Sequence, residues 1–256
     1  MLIFNFEKKR HLTWNLLRLI DIRNTLIIDI ETVSISENYN DLDERLKKQW
    51  ERKAAFIKNE EQLPAEELFF ERAGIYAEFG KVICIAAGLF VKTKSGEMGL
   101  RIKAFTGENE KDILSSFKDL INNKLDSENL ILCAHNGKDF DFPYLCRRYL
   151  INEMEIPTAL QIAGKKPWEI NHLDTMEMWK FGDRRNYSSL DLLATIFGIE
   201  SSKKDLDGSM VNKVYYKDKD IEQIEAYCKQ DVCVTANLFL KLNLLPVIPE
   251  TNITYV

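Results

Sequence analysis

The sequence predicts an α/β fold in which a central mixed sheet is flanked by helices. Three observations carry that expectation. Residues 25–30, TLIIDI, form a β-branched apolar run of the kind found in buried strands. Two more apolar runs, at 81–90 and 99–105, are joined through Lys94, Ser95 and Gly96, which reads as a hairpin. Beyond them, stretches of helical and strand periodicity alternate to about residue 242.

Taken in order, the run ending at Ile30 is the first core strand, preceded by Arg23 and Asn24. Residues 37–72 then change character: charge is dense, glycine is absent, and Asp43 to Phe56 reads as a helix with Glu44 and Lys48 one turn apart. This stretch is expected to be a charged helical insertion or lid. After the hairpin, Ile113, Leu114, Phe117, Leu120 and Ile121 repeat at helical spacing and predict a helix over about 110–122. Leu130 to Ala134 predicts a short strand, and Phe142 to Leu150 a helix that Pro143 can begin. Ser188 and Ser189 before LDLLATIF, with Gly198 after it, predict a capped helix. The last helix is expected from about Asp220 to Leu242, followed by an irregular or extended tail, LLPVIPETNITYV. The length of 256 residues fits one domain spanning 1–256, with its core at about 25–242.

Bulk properties narrow the function classes. A hydrophobic share of 45% and a charged share of 29% are those of an ordinary globular chain. No apolar run approaches the roughly 20 residues of a membrane helix. In the opening MLIFNFEKKRHLTW, the basic residues follow the apolar run, the reverse of a secretory leader, so a cytoplasmic location is expected. Five cysteines without a CxxC pair read as reduced thiols. A net charge of -5 argues against a binding module that relies on a basic stripe. It does not argue against an enzyme whose cations meet a polyanion locally.

Three segments place carboxylates in unusual surroundings. Asp29 and Glu31 lie two apart on the first strand, so both side chains share one face while Ile28 and Ile30 pack on the other. Like charges gathered there cost energy unless a proton or a hard divalent cation compensates, although acids at a strand's end are more often solvated or capping the next turn. Asp231 lies in line with Ile224 and Leu238 on the last helix and so faces inward, with Tyr227 one turn earlier. A Tyr at the core's edge and an Asp paired with a base would satisfy the same pattern. The third segment, His135 to Asp141, follows the strand 130–134, where α/β sheets collect ligands; Asp139 or Asp141 could also simply cap the next helix.

Together, in this order, the three segments resemble the DEDDy group of DnaQ-like 3′ to 5′ exonucleases, which have the ribonuclease H-like fold. The D-x-E of the first motif falls on Asp29 and Glu31, the N-x-x-x-F-D of the second on Asn136, Phe140 and Asp141, and the Y-x-x-x-D of the third on Tyr227 and Asp231. In a sister group histidine replaces the tyrosine, but none of the three histidines is near Asp231. The likeness spans about residues 25–240, is greatest to stand-alone bacterial exonucleases similar to the proofreading domain of family B DNA polymerases, and leaves no room for a polymerase domain.

The resemblance implies catalysis by Asp29, Glu31, Asp141, Tyr227 and Asp231, with the four acids holding two divalent cations, Mg2+ or Mn2+. Asp29, Glu31 and Asp231 would hold the first, Asp29 would bridge to the second, and Asp141 would hold that one. Tyr227 would orient the attacking water; with a reference pKa of about 10 it is a hydrogen-bonding group rather than a base. Asn136, Phe140 and Lys138 are candidate substrate contacts, as is Phe142; Arg147, Arg148, Arg184 and Arg185 are candidate phosphate contacts. The implied substrate is nucleic acid, single-stranded DNA first and RNA second. The competing readings are a catalytically silent nucleic-acid-binding or scaffold module of the same fold, and a phosphatase using Asp29 as nucleophile. The phosphatase leaves the second and third motifs without a purpose.

Overall fold

The computed structural model describes residues 22–183, 185, 187–200 and 206–256. The readings of the N-terminal stretch and of Arg184 lie outside the described residues.

Strand β1 (Thr25–Ser34) is followed by helices α1 (Glu44–Ala54) and α2 (Ala65–Arg72), then by the hairpin of β2 (Gly80–Lys92) and β3 (Met98–Thr106). Next come α3 (Glu110–Asp119), β4 (Ile131–Ala134), α4 (Asp141–Ile151), β5 (Leu173–Asp174), α5 (Thr175–Lys180) and α6 (Leu190–Phe197). The chain closes with the short α7 (Val211–Lys213), the long α8 (Ile221–Leu242) and β6 (Ile253–Tyr255). The six strands make one mixed sheet in the order β5-β4-β1-β2-β3-β6, as the expected α/β architecture requires.

Alternation along β1 divides the core. Leu26, Ile28 and Ile30 pack with α3 and α4 through Phe117, Phe142 and Leu145. Ile27 and Val33 face the other way, onto α8 residues such as Ile224 and Val232. Strand β1 runs four residues beyond the expected TLIIDI because Thr32 and Val33 are also β-branched and continue to pair with β2. Between Glu31 and Thr32 the register shifts, so that Ile83 is an extra residue on β2, a β-bulge that increases the local twist.

Charge density hid a small core in residues 37–72. Trp50 is fully buried against Phe69 and Phe79, at ring centroid distances of 5.3 and 5.2 Å, and its Nε1 donates to the Ala65 carbonyl at 2.7 Å. The segment is helical, as expected; Asp43 caps α1, and Glu44 pairs with Lys47 rather than with Lys48.

Two expectations need correction. The tail is not irregular to its end, because residues 253–255 add a strand parallel to β3 at the sheet's edge. Arg148 is no phosphate contact: it is 3% exposed, and its Nη2 pairs with Glu110 at 2.6 Å while Nη1 donates to the Ala77 carbonyl. Among the described residues no helix is long and apolar enough to cross a membrane.

Candidate active site

The central strand β1 presents Asp29 and Glu31 on the α8 side of the sheet, opposite Ala86 and Cys84 of β2. The strand is held beyond them by side chains from the α7 region. The Ser34 amide donates to Asn212 Oδ1 at 2.8 Å, and the Tyr216 hydroxyl donates to the Ser34 carbonyl at 2.6 Å.

Asp141 arrives from the neighbouring parallel strand. Strand β4 pairs with β1 only over Thr25 to Ile27, so β1 has no strand neighbour on this side beyond residue 27. The amide of Ile30 instead bonds to Asp141, the first residue of α4. The connecting loop is tightly specified. Asn136 adopts the left-handed conformation at φ 63°, and its carbonyl accepts from the amides of Asp139 and Phe140. A Cβ at Gly137 would lie 2.4 Å from the Ala134 Cβ, so only glycine fits where the loop crosses its own strand.

One carboxylate absent from the sequence reading organises this loop. Asp174, 2% exposed at the end of β5, accepts from the amides of Asn136, Met176 and Glu177 on one oxygen and from Lys138 on the other. His135 adds a second tie, its ring nitrogens 2.9 Å from Thr175 Oγ1 and 2.9 Å from the Ser188 carbonyl. Burial pushes this imidazole's pKa below its ordinary value, which favours the neutral form.

Helix α8 brings in Tyr227, Cys228 and Asp231 from the opposite side, all facing the sheet. Tyr227 hydrogen-bonds to Asp231, and burial followed by the charges of Asp231, Glu31 and Asp29 pushes its phenol far above the usual range. Tyr227 is therefore a proton donor in this site and never a phenolate at ordinary pH. The Cys228 thiol donates to Asp29 Oδ2 at 3.3 Å.

The structure thus brings Asp29, Glu31, Asp141 and Asp231 into one electrostatic group. Burial, and then repulsion from Asp231, Glu31 and Asp141, holds the Asp29 carboxyl well above its ordinary range. Glu31 shifts the same way, from burial first and Asp231 second. Asp141 is pushed up to about 7, mainly by burial; its own amide and that of Ile30 oppose the shift, while Asp174 and Asp231 add to it. Among the described residues no lysine or arginine forms an ion pair with Asp29, Glu31 or Asp141. Beyond the Cys228 thiol and two backbone amides, their compensation must come from protons or from bound cations. Clustered carboxylate oxygens are the donor set that hard divalent cations prefer, so the residues fit such ions.

The remaining candidates are scattered in role. Asn136 shapes the loop; Phe140 is half-buried with its ring 5.3 Å from that of Tyr144; and Lys138 is paired with Glu177 at 2.8 Å. Phe142 is fully buried in the core, which removes it as a base-stacking surface. Arg147 is exposed, and Arg185 is exposed and paired with Asp183. A cavity of about 870 Å³ is bordered by Glu37, Tyr39, Glu66, Phe70 and Lys217 and contains none of the four acids.

A family profile described as a predicted 3′-5′ exonuclease related to the exonuclease domain of PolB matches residues 75–248. The chain belongs to this family. The match takes in Asp141, Tyr227 and Asp231 but begins after Asp29 and Glu31, which the fold alone brings to them. No curated protein sequence matches the chain. Among solved structures, the family B DNA polymerase of the hyperthermophilic archaeon Pyrobaculum calidifontis aligns with a TM-score of 0.52 and 18% identity. The alignment covers 86% of this chain and only 24% of that polymerase, and at this identity it shows the fold, the ribonuclease H-like α/β sheet. As a member of the exonuclease family the protein is a phosphodiester hydrolase, and nucleic acid is its substrate class.

Sequence reasoning missed Asp174 because a two-residue strand has no periodicity to read. It read Cys228 as a reduced thiol on the apolar stripe of the last helix beside Asp231, and not as a neighbour of Asp29.

Proposed function

We propose that this protein removes nucleotides from the 3′ end of single-stranded DNA by a two-cation mechanism. Asp29, Glu31 and Asp231 would hold one ion, Asp29 would bridge, and Asp141 would hold the second; Mg2+ or Mn2+ suits these oxygen ligands. When bound, the two cations supply stabilisation of charge on the phosphoryl oxygens and activation of the attacking water. The chain's own residues do the positioning. Tyr227, protonated and hydrogen-bonded to Asp231, orients the water through its hydroxyl group rather than by removing a proton. Asp174 and His135 fix the loop that delivers Asp141, so its backbone is in place before any ion is bound. Asn136, Lys138 and Phe140, on the same loop, are the nearest candidates for touching the strand end.

The observation that carries this reading is the convergence of four acids without basic partners shown for Asp29, Glu31 or Asp141. DNA is favoured over RNA because the related domain and the aligned structure are parts of DNA polymerases. The test is digestion of 5′-labelled and 3′-labelled DNA and RNA oligonucleotides with Mg2+ or Mn2+, against a chelator and Asp231→Ala. Mononucleotides should leave the 3′ end of DNA only when metal is present and Asp231 is intact. Hydrolysis that survives the chelator would overturn the cation mechanism, and no hydrolysis together with no divalent-ion binding by calorimetry would leave the silent module.

A further inference from the structure

Cys228 sits where a ligand would. It is fully buried on the face of α8 that meets β1, three residues before Asp231, and its Sγ lies 3.3 Å from Asp29 Oδ2. One donor atom from each of Asp29, Glu31 and Cys228 lies within 4.8 Å of the other two. Around a tetrahedral ion with ligand bonds of about 2.0 to 2.3 Å, donors stand roughly 3.5 Å apart, so small side-chain rotations would close the set. Mg2+ and Mn2+ have little use for the sulfur, whereas Zn2+ and Cd2+ favour it strongly.

We infer that the same pocket takes a soft divalent cation, Zn2+ or Cd2+, on Asp29, Glu31 and Cys228, a ligand set different from the four carboxylates. This rests on the cation-binding reading of Asp29 and Glu31 given above. As the metal–sulfur bond forms, the thiol hydrogen now donated to Asp29 leaves to solvent as a proton, and the freed Oδ2 becomes a ligand. Two of the carboxylates needed for hydrolysis are then committed to an ion held by sulfur, and neither Asp141 nor Asp231 is engaged. A soft ion would therefore occupy the site and inhibit in the presence of excess Mg2+.

The experiment is a titration of the whole protein with Cd2+ alone, reading the ultraviolet sulfur-to-cadmium charge-transfer band. The wild type should show a band that saturates with a single tight ion. Cys228→Ser should lose it, while Cys84→Ser, which alters the thiol contacting Cys228 across from Glu31, and Cys146→Ser should keep it. If Cys228→Ser does not fold, Asp29→Asn and Glu31→Gln keep the thiol and remove an oxygen ligand, and each should weaken Cd2+ binding at least about tenfold. A band that persists in Cys228→Ser, or is absent from wild type, would overturn the inference. Hydrolysis with Mg2+, measured separately, distinguishes the two readings: an active enzyme without the band loses only this one, and a band without hydrolysis loses only the exonuclease.

Discussion

Glu110 and Arg148 lie in the same body as the four acids and are buried as deeply, yet the two groups are built on opposite plans. The guanidinium meets both oxygens of Glu110, at 2.8 and 2.6 Å, and those oxygens also accept from the Val82 amide and Asn152 Nδ2 at 2.7 Å each. Every charge there is answered by the chain itself. Around Asp29 the chain answers little: a thiol, two amides and a phenol face four carboxylates, and burial and neighbouring acids raise the pKa values of Asp29, Glu31 and Asp141. Depth of burial is therefore no guide to role. The informative feature is whether the fold contains the counter-charge.

The sharpest way to break this contrast is to remove one acid. Asp231→Ala should lower turnover by on the order of 10⁴-fold, about 5 kcal/mol of barrier, in a single-turnover strand-degradation assay. Its metal-free melting temperature should be unchanged or higher, since repulsion is relieved. A large loss of stability would mean that the acid is structural. The converse variant, Arg148→Ala, leaves Glu110 buried without its partner and should cost about 3–5 kcal/mol in chemical denaturation. The added stability that Mg2+ confers should survive that change. Tyr227→Phe retains the ring and loses the donor; a fall of about 10²-fold in kcat, with KM little altered, would fit a water-orienting hydroxyl.

The smallest effect is a pH dependence. The Asp141 carboxyl titrates near 3.8 when unperturbed and at about 7 in the fold. Below the lower value it is protonated folded or unfolded. Between the two the unfolded chain has lost the proton that the folded chain keeps, so the stabilisation present in acid is lost as pH rises to about 7. Without metal, the melting temperature should decline over that interval, and less in Asp141→Asn. Saturating Mg2+ should abolish the decline, because it favours the ionised acids. A melting temperature that climbs from 3.8 to neutrality in metal-free protein would contradict the shift.

Much of this was legible in the residues because it follows from local periods. A spacing of two put Asp29 and Glu31 on one side of β1, and a spacing of four put Tyr227 and Asp231 on one side of α8. Ser189 and Gly198 marked both ends of α6. What stayed hidden depends on pairings distant in the chain. Arg148 looks like any surface base until Glu110, 38 residues earlier, is seen to hold it. Asp174 needs the β4 loop beside it, and Ile253 to Tyr255 are a strand only because β3 offers an edge. The aromatic core around Trp50 was masked by the charges of its own helices.

The unzipped flank of β1 gives the molecule a built-in reporter. Because β4 stops pairing at Ile27, the Ile30 amide relies on Asp141 where a neighbouring strand would ordinarily serve. An ion that draws that carboxylate away would leave this one hydrogen to exchange with water. The deuterium uptake of a single backbone position in mid-sheet would then gauge occupancy of the pocket, even for a chain bearing no labels and turning over no substrate.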